Sequence, residues 1–340
     1  MYPRETSLSL TDMVLRMKQP RALIFGISGQ DGAYLAEFLL KKGYHVTGTS
    51  RDSQLHTFPG LRRLGILGQL ELESVAPNDF RSVLQCVQKV KPDEIYNLSG
   101  QSSPALSFAQ PVETFESIMT GTLNILESIR WAQGKIRFYN AGSSEVFGNT
   151  SQDGADENTA FRPCSPYGVA KAAAIWQVQN YRENYDLKAC TGILFNHESP
   201  LRPPRFVTRK IIQGAVKIHR GEASSLMLGN LDIQRDWGYA PEYVEAMWRM
   251  LQLETPRDYV VATGRAESLR TFVEKAFDQL HLDYRKHVTT DPGLMRKTDI
   301  LFSRGRPQKA NEQLGWKAVT PLEEVIRKMI EEELRQPVKA

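Results

Sequence analysis

The sequence predicts an α/β protein built on a doubly wound parallel sheet, and three observations carry that prediction. Short apolar runs alternate with stretches of helical length from Arg21 to about Tyr185, the pattern that produces parallel strands covered by helices on both faces. The first run, Arg21-Ala22-Leu23-Ile24-Phe25, enters directly a glycine-rich turn, Gly26-Ile27-Ser28-Gly29-Gln30-Asp31-Gly32. Two later runs are followed at once by small polar residues, Ser99-Gly100-Gln101-Ser102 and Gly142-Ser143-Ser144-Glu145. In such sheets the crevice outside the carboxyl ends of the strands is where ligands bind.

Composition narrows the class. The 340 residues are 41% hydrophobic and 24% charged, enough for one large domain or two ordinary ones and without a bias toward disorder. A net charge of +4 from 43 basic and 39 acidic residues, with no basic block, does not indicate a nucleic-acid partner. Cys86, Cys164 and Cys190 are odd in number and widely spaced, which fits neither a zinc site nor a disulfide framework and suggests a reducing cytoplasm. No metal is expected. Residues 1–19 lack the continuous apolar core of a signal peptide and read as an extension ahead of the fold. No stretch reaches the ~18 apolar residues of a membrane span.

Taken in order, the first run is a buried strand and a helix is expected from Tyr34 to Lys42. Glycines 26, 29 and 32 allow a tight turn, close approach of backbone to a pyrophosphate, and close packing of helix on strand, with phosphates on the helix N-terminus. The bland alternative is a plain turn, but the strand-turn-helix context is the one a Rossmann dinucleotide site requires. The second strand, His45 to Ser50, ends at Arg51 and Asp52. An arginine there suits the 2′-phosphate of NADP, whereas an acid suits NAD; Arg51 as a solvated loop residue is the remaining reading. After a loop containing Pro59 and Gly60 come a strand at Leu70 to Leu72, a helix over Asn78 to Val90 and a strand over Asp93 to Leu98. A helix over Pro111 to Trp131, a strand over Arg137 to Ala141 and a helix over Tyr167 to Tyr185 follow. The strand Ala189 to Phe195 delivers Asn196-His197-Glu198-Ser199-Pro200, read as a polar loop. Helices are expected near Phe206 to Arg220, Pro241 to Gln252, Ser268 to Leu280 and Pro321 to Leu334, with a strand over Asp258 to Ala262.

Tyr167 and Lys171 stand four apart, so on one helix they share a face. An ammonium beside a phenol favours the phenolate, which could take a hydroxyl proton near neutral pH. Alone, Tyr-x-x-x-Lys is far more often an ordinary amphipathic helix fragment. The surrounding motifs decide otherwise.

Together with the glycine turn, Ser143-x-Glu145, Tyr167-x-x-x-Lys171, Ile193-Leu194-Phe195-Asn196-His197-Glu198-Ser199-Pro200, Phe206-Val207-Thr208-Arg209-Lys210 and Arg235-Asp236-Trp237-Gly238, the chain from Arg21 onward resembles the GDP-mannose 4,6-dehydratases, extended short-chain dehydrogenase/reductases. The resemblance implies a Rossmann NADP-binding domain over 20–196 and 232–264. A smaller, interleaved C-terminal domain over 197–231 and 265–340 would bind a GDP-sugar. It implies catalysis by Ser143, Glu145, Tyr167 and Lys171. Cofactor contacts would come from Gly26, Ser28, Gly29, Gln30, Asp31, Gly32, Arg51, Tyr167, Lys171 and His197, with NAD as the alternative to NADP. Substrate contacts would come from Ser102, Asn196, Arg202, Val207, Lys210, Arg235 and Arg296. Ser143 stands where the family has threonine, and Asp52 where it has a second arginine. Ser102-Ser103-Pro104 and Lys297-Thr298-Asp299 also depart from its usual residues.

The implied reaction is loss of water from GDP-mannose in deoxysugar biosynthesis by a cytoplasmic homodimer or homotetramer. Glu145 separates this from a simple C4 reductase or epimerase, which needs no acid at that place; otherwise it is a carboxylate satisfying a helix dipole. A GDP-manno-heptose substrate and an inactive cofactor-binding homologue are the remaining readings.

Overall fold

The structure is a computed structural model that describes residues 19–132, 135–294 and 298–337. The expected extension, save Gln19, and Arg296 lie outside the described residues. Seven parallel strands form the main sheet: β1 Arg21–Phe25, β2 His45–Ser50, β3 Glu71–Ser74, β4 Glu94–Asn97, β5 Arg137–Ala141, β6 Lys188–Leu194 and β7 Tyr259–Val261, in the order β7-β6-β5-β4-β1-β2-β3. The order reverses between β1 and β4, so the loops leaving these two strands open a crevice at the switch point. Phe25 pairs with both Thr49 and Asn97, and Asn97 with Asn140. The carboxyl ends of four strands are therefore level. Leu23, Ile24 and Phe25 are fully buried, as strands covered on both faces must be.

Helices cover both faces: α1 Gln30–Lys41, α2 Phe80–Val90, α3 Gly121–Ala132 and α4 Pro166–Asn184; of the two helices that follow β6, α5 Val207–His219 belongs to a second core and α6 Ala240–Gln252 packs on the sheet. α1 starts four residues earlier than expected, because extended Gly29 caps it and Gly32 lacks the Cβ that would lie 2.4 Å from the Gly26 carbonyl oxygen. Gln30, Asp31 and Gly32 are thus the first turn of a helix. The expected helix from Pro111 to Trp131 begins as Pro111–Phe115, passes through a π-turn at Glu116–Thr120 and continues as α3. Short helices at Pro59–Arg63, Pro104–Ala109 and Gln308–Leu314 were not expected, since five to seven residues are too few to show a period. Proline at the first position of two of them fits, because that N–H would go unbonded anyway.

The segment read as a loop after β6 holds a strand, Asn196–Glu198, paired in parallel with Trp237–Tyr239. Trp237 joins a second core, in which Ile212 and Val216 of α5 meet Phe272, Val273 and Phe277 of α7 Leu269–Asp278 and Val325, Ile326 and Met329 of α8 Leu322–Leu334. Neighbouring residues and spacings of three to five keep these side chains on one broad stripe of each helix. Among the described residues no helix is long and apolar enough to cross a membrane.

Candidate active site

The glycine turn is built for a ligand on one side and for packing on the others. Gly26 has φ +88°, and a Cβ there would sit 2.7 Å from the Leu98 carbonyl group at the end of β4. Neither Gly26 nor Gly32 can carry a side chain. A Cβ on Gly29 would meet only the Gly26 carbonyl oxygen, at 3.4 Å, which leaves its outer side and the first N–H groups of α1 open to an anion. The residues present therefore fit a dinucleotide diphosphate. At the end of β2, Arg51 is exposed, with Glu113 3.5 Å away as a loose partner. The Asp52 carboxylate accepts the Gln54 and Leu55 N–H groups and is committed to its own turn.

Beside this turn, β5 and α4 bring four candidates together. Ser143 Oγ accepts the Glu145 N–H, fixing the short turn after β5, and Ser165 caps α4 by accepting the Gly168 N–H at 3.1 Å. The cap fixes where the next turn of the helix points. Tyr167 and Lys171 are both buried, and the Lys171 Nζ lies 5.9 Å from the Tyr167 ring centroid. Burial pushes the Tyr167 phenol up to about 12, opposed by its bond with Ser143 and reinforced by the Glu145 charge. Burial also lowers Lys171 to about 8, against the pull of Asp31. The expected acidification of the phenol by Lys171 is not what the chain alone produces. Loss of water around both groups dominates, and the ammonium is turned to the Ala141 carbonyl oxygen at 2.7 Å.

Gln30, Asp31 and His197 form one network rather than separate contacts. The His197 Nε2 lies 2.9 Å from Asp31 Oδ2, and its Nδ1 lies 2.7 Å from the Phe195 carbonyl oxygen. Both partners are acceptors only, so both ring nitrogens carry hydrogen and the ring is an imidazolium. Burial disfavours both charges, but mutual attraction wins: His197 is raised and Asp31 lowered. Gln30 donates to Asp31 Oδ1 and to the His197 carbonyl oxygen, and accepts the Ser199 hydroxyl at 2.6 Å. The His197 ring stacks on Tyr243 at 4.5 Å. No local signal announces a pair 166 residues apart.

A cavity of about 330 Å³ adjoins this network and is lined by all four catalytic candidates together with Ser102, Asn196, His197, Arg202, Val207 and Arg235. Its walls are held by paired charges. Arg202 lies 3.1 Å from Glu198 and 3.7 Å over the Phe206 ring, Glu198 accepts the Thr208 hydroxyl at 2.7 Å, and Arg235 lies 3.3 Å from Asp299. Asp299, noted in the sequence only as part of a departure from the family's usual residues, also lines the cavity, as does Arg205, which was not singled out. Lys210 is not brought to it: α5 turns the ammonium outward to the Met227 carbonyl oxygen at 2.7 Å. Of the glycine turn, only Asp31 reaches the cavity wall.

Comparison with known proteins bears on what this cavity does. A family model described as GDP-mannose 4,6 dehydratase matches residues 23–329. GDP-mannose 4,6 dehydratase 1 of Arabidopsis thaliana is 43% identical over 323 residues, covering 92% of this chain and 89% of that protein. The GDP-mannose 4,6 dehydratase of Homo sapiens is 41% identical, covering 92% of each. Among solved structures, the UDP-glucose 4-epimerase of Thermus thermophilus in complex with NAD shares the fold with a TM-score of 0.81 at 23% identity, over 93% of this chain and 99% of that one. The structure of RMD from Pseudomonas aeruginosa complexed with NADPH does so with a TM-score of 0.77 at 21% identity, over 94% and 100%.

Proposed function

Because the chain belongs to the GDP-mannose 4,6-dehydratase family, we propose that this cavity carries out the family's reaction with Ser143, Glu145, Tyr167 and Lys171. GDP-mannose would become GDP-4-keto-6-deoxymannose and water. The observation that carries the assignment is the convergence of a phenol, its hydroxyl partner, a carboxylate and an ammonium on one cavity wall at the carboxyl ends of β4 to β6. Tyr167 takes the proton from the sugar O4, with Ser143 bonded to the phenol and Lys171 supplying positive charge. Glu145 takes the C5 proton, which a C4 ketone acidifies, and gives a proton to the departing C6 hydroxyl.

The glycine turn, Arg51 and the Asp31–His197 pair would hold a nicotinamide dinucleotide, with Arg51 favouring NADP. When bound, that group supplies a reversible hydride acceptor and, oxidised, a positive charge near the phenol. The positive charge is what a phenol raised to about 12 by burial needs in order to work near neutrality. Arg202, Arg235, Asn196, Val207 and Ser102 would contact the GDP-sugar.

The protein would act in the cytoplasm as a homo-oligomer. Leu123 and Trp131 of α3, and Val169 and Trp176 of α4, are exposed, and spacings of eight and seven put each pair on one helical face. Such a face suits a second copy of the chain. The testing experiment is mass spectrometry of the purified protein with GDP-mannose and no added cofactor. Loss of one water supports the reading, because the hydride is borrowed and returned; an unchanged or merely oxidised sugar overturns it.

A further inference from the structure

Besides the His197 imidazolium, which is bonded to Asp31, four cations line the cavity, Lys171, Arg202, Arg205 and Arg235, and three of these lie against strong acceptors of their own. Lys171 is bonded to the Ala141 carbonyl oxygen, Arg202 lies beside Glu198, and Arg235 beside Asp299. Arg205 differs. Among the described residues its partners are a neutral hydroxyl, Ser102 Oγ at 2.9 Å from Nη2, and the Phe206 ring, 5.1 Å from the guanidinium carbon. A guanidinium has five N–H donors, and one hydroxyl uses only one of them. Arg202 stacks closely on the same ring, so two positive groups crowd one edge of the cavity where an oxygen-rich ligand would be drawn.

Its position identifies which part of the ligand that is. Arg205 reaches from the segment after Asn196–Glu198 to Ser102, 103 residues away on the loop leaving β4. That loop neighbours the one leaving β5, which carries Ser143 and Glu145. The side chain therefore belongs to the end of the cavity where the reacting carbons sit, whereas Gly229, Asn230 and Leu294 line it from segments of the second half of the chain. Arginine at this end supplies directional donors for hydroxyl oxygens.

Resting on the proposed GDP-sugar reading, we infer that Arg205 is a sugar-recognition residue, its remaining N–H groups taking hydroxyl oxygens of the sugar rather than the diphosphate. The test is equilibrium titration of the full chain with GDP and with GDP-mannose, for the wild type, R205A and R205K, alongside kcat and KM for water loss. R205A is expected to bind GDP-mannose about tenfold more weakly and GDP unchanged, with KM rising by a similar factor and kcat nearly constant. R205K, which keeps the charge and one set of donors, recovers part of the loss and provides the same readout if R205A melts early. Equal weakening for GDP and GDP-mannose places the charge on the diphosphate and overturns the inference. So does an unchanged affinity for GDP-mannose, or a wild type for which the sugar adds nothing over GDP. A wild type that binds GDP-mannose more tightly than GDP yet releases no water refutes the dehydratase reading alone, and the binding comparison still decides Arg205.

Discussion

Replacing Asp31 by Asn keeps an acceptor for the His197 Nε2 hydrogen but removes the charge, and it turns an amide NH2 toward the Gln30 donor that Oδ1 had accepted. The two side chains are 21% and 9% exposed and 2.9 Å apart, so solvent screens them little. A hydrogen bond between charged groups contributes about 1.5–3 kcal/mol. For a chain of 340 residues, an unfolding entropy of roughly 2.1 cal/mol/K per residue converts this into a fall in Tm of about 2–4 °C. The pH dependence has a definite sign. His197 is raised, so its contribution is complete below the unfolded imidazole value of ~6.5 and fades as pH rises through the folded value. Asp31 is lowered, so its contribution is complete above the unfolded carboxylate value of ~3.9 and is lost only as pH falls through the folded one. The wild type should therefore exceed Asp31→Asn most between those two values, with the gap narrowing on the alkaline side. Thermal melts of both proteins in acidic and alkaline buffers, with and without NADP, measure it. A gap that is absent, or equally large in strongly alkaline buffer, would show that the pair is a neutral hydrogen bond and that the imidazolium assignment is wrong.

Three further outcomes follow from the site. Glu145→Gln should still oxidise C4, seen as reduced nicotinamide absorbance on adding GDP-mannose, while water loss falls by about 10²–10⁴ in rate; normal dehydration by that variant removes Glu145 from the mechanism. Gly32→Ala pushes a Cβ to 2.4 Å from backbone oxygen and should cost about 1–3 kcal/mol. Gly29→Ala, with 3.4 Å available, should hold its Tm without cofactor yet lose cofactor affinity, and equal melting losses for the two would contradict the open side assigned to Gly29. Arg51→Glu should weaken NADP by about tenfold or more while sparing NAD, as competition titration reads directly; an unchanged ratio makes Arg51 a bystander.

The main sheet was legible because its signals are local. His45–Ser50 and Arg137–Ala141 appear with the expected bounds, since apolar runs bounded by turn residues need no distant partner to be read. α4, expected over Tyr167 to Tyr185, lies at Pro166–Asn184; the Ser165 cap and first-position Pro166 that mark its start are local signals too, although the expectation did not draw on them. Asn196–Glu198 was not, because its strand conformation depends on Trp237–Tyr239, which nothing in the local pattern discloses. Strand ends put Ser143 and Glu145 at the ligand edge and helix spacing put Tyr167 beside Lys171, whereas the grouping of all four in one site was what the family resemblance implied. The tuning of these groups was not legible, because burial sets it: a phenol moved up to about 12 and an ammonium down to about 8 reflect how much water the completed fold removes.

The least legible feature also explains how the two cores act as one site. Gln30 and Asp31 sit in the first turn of the helix that would receive the dinucleotide diphosphate, and their side chains reach His197 and Ser199. The same short segment carries Glu198, which holds Thr208 and Arg202 at the cavity wall. Its strand is paired to Trp237–Tyr239, whose Trp237 packs into the second core. On the proposed reading, a ligand that shifts the glycine turn would therefore meet the substrate wall through two hydrogen-bonded residues, without any long-range path. That arrangement predicts a ranking. Substitutions at Gln30 or Ser199 should disturb GDP-sugar affinity as well as cofactor affinity, whereas substitutions at Arg51, outside the seam, should change only the cofactor's. Titrations of GDP-mannose against Ser199→Ala and Arg51→Glu separate the two. A sugar affinity untouched by Ser199→Ala would mean that the cofactor turn and the substrate wall are merely neighbours.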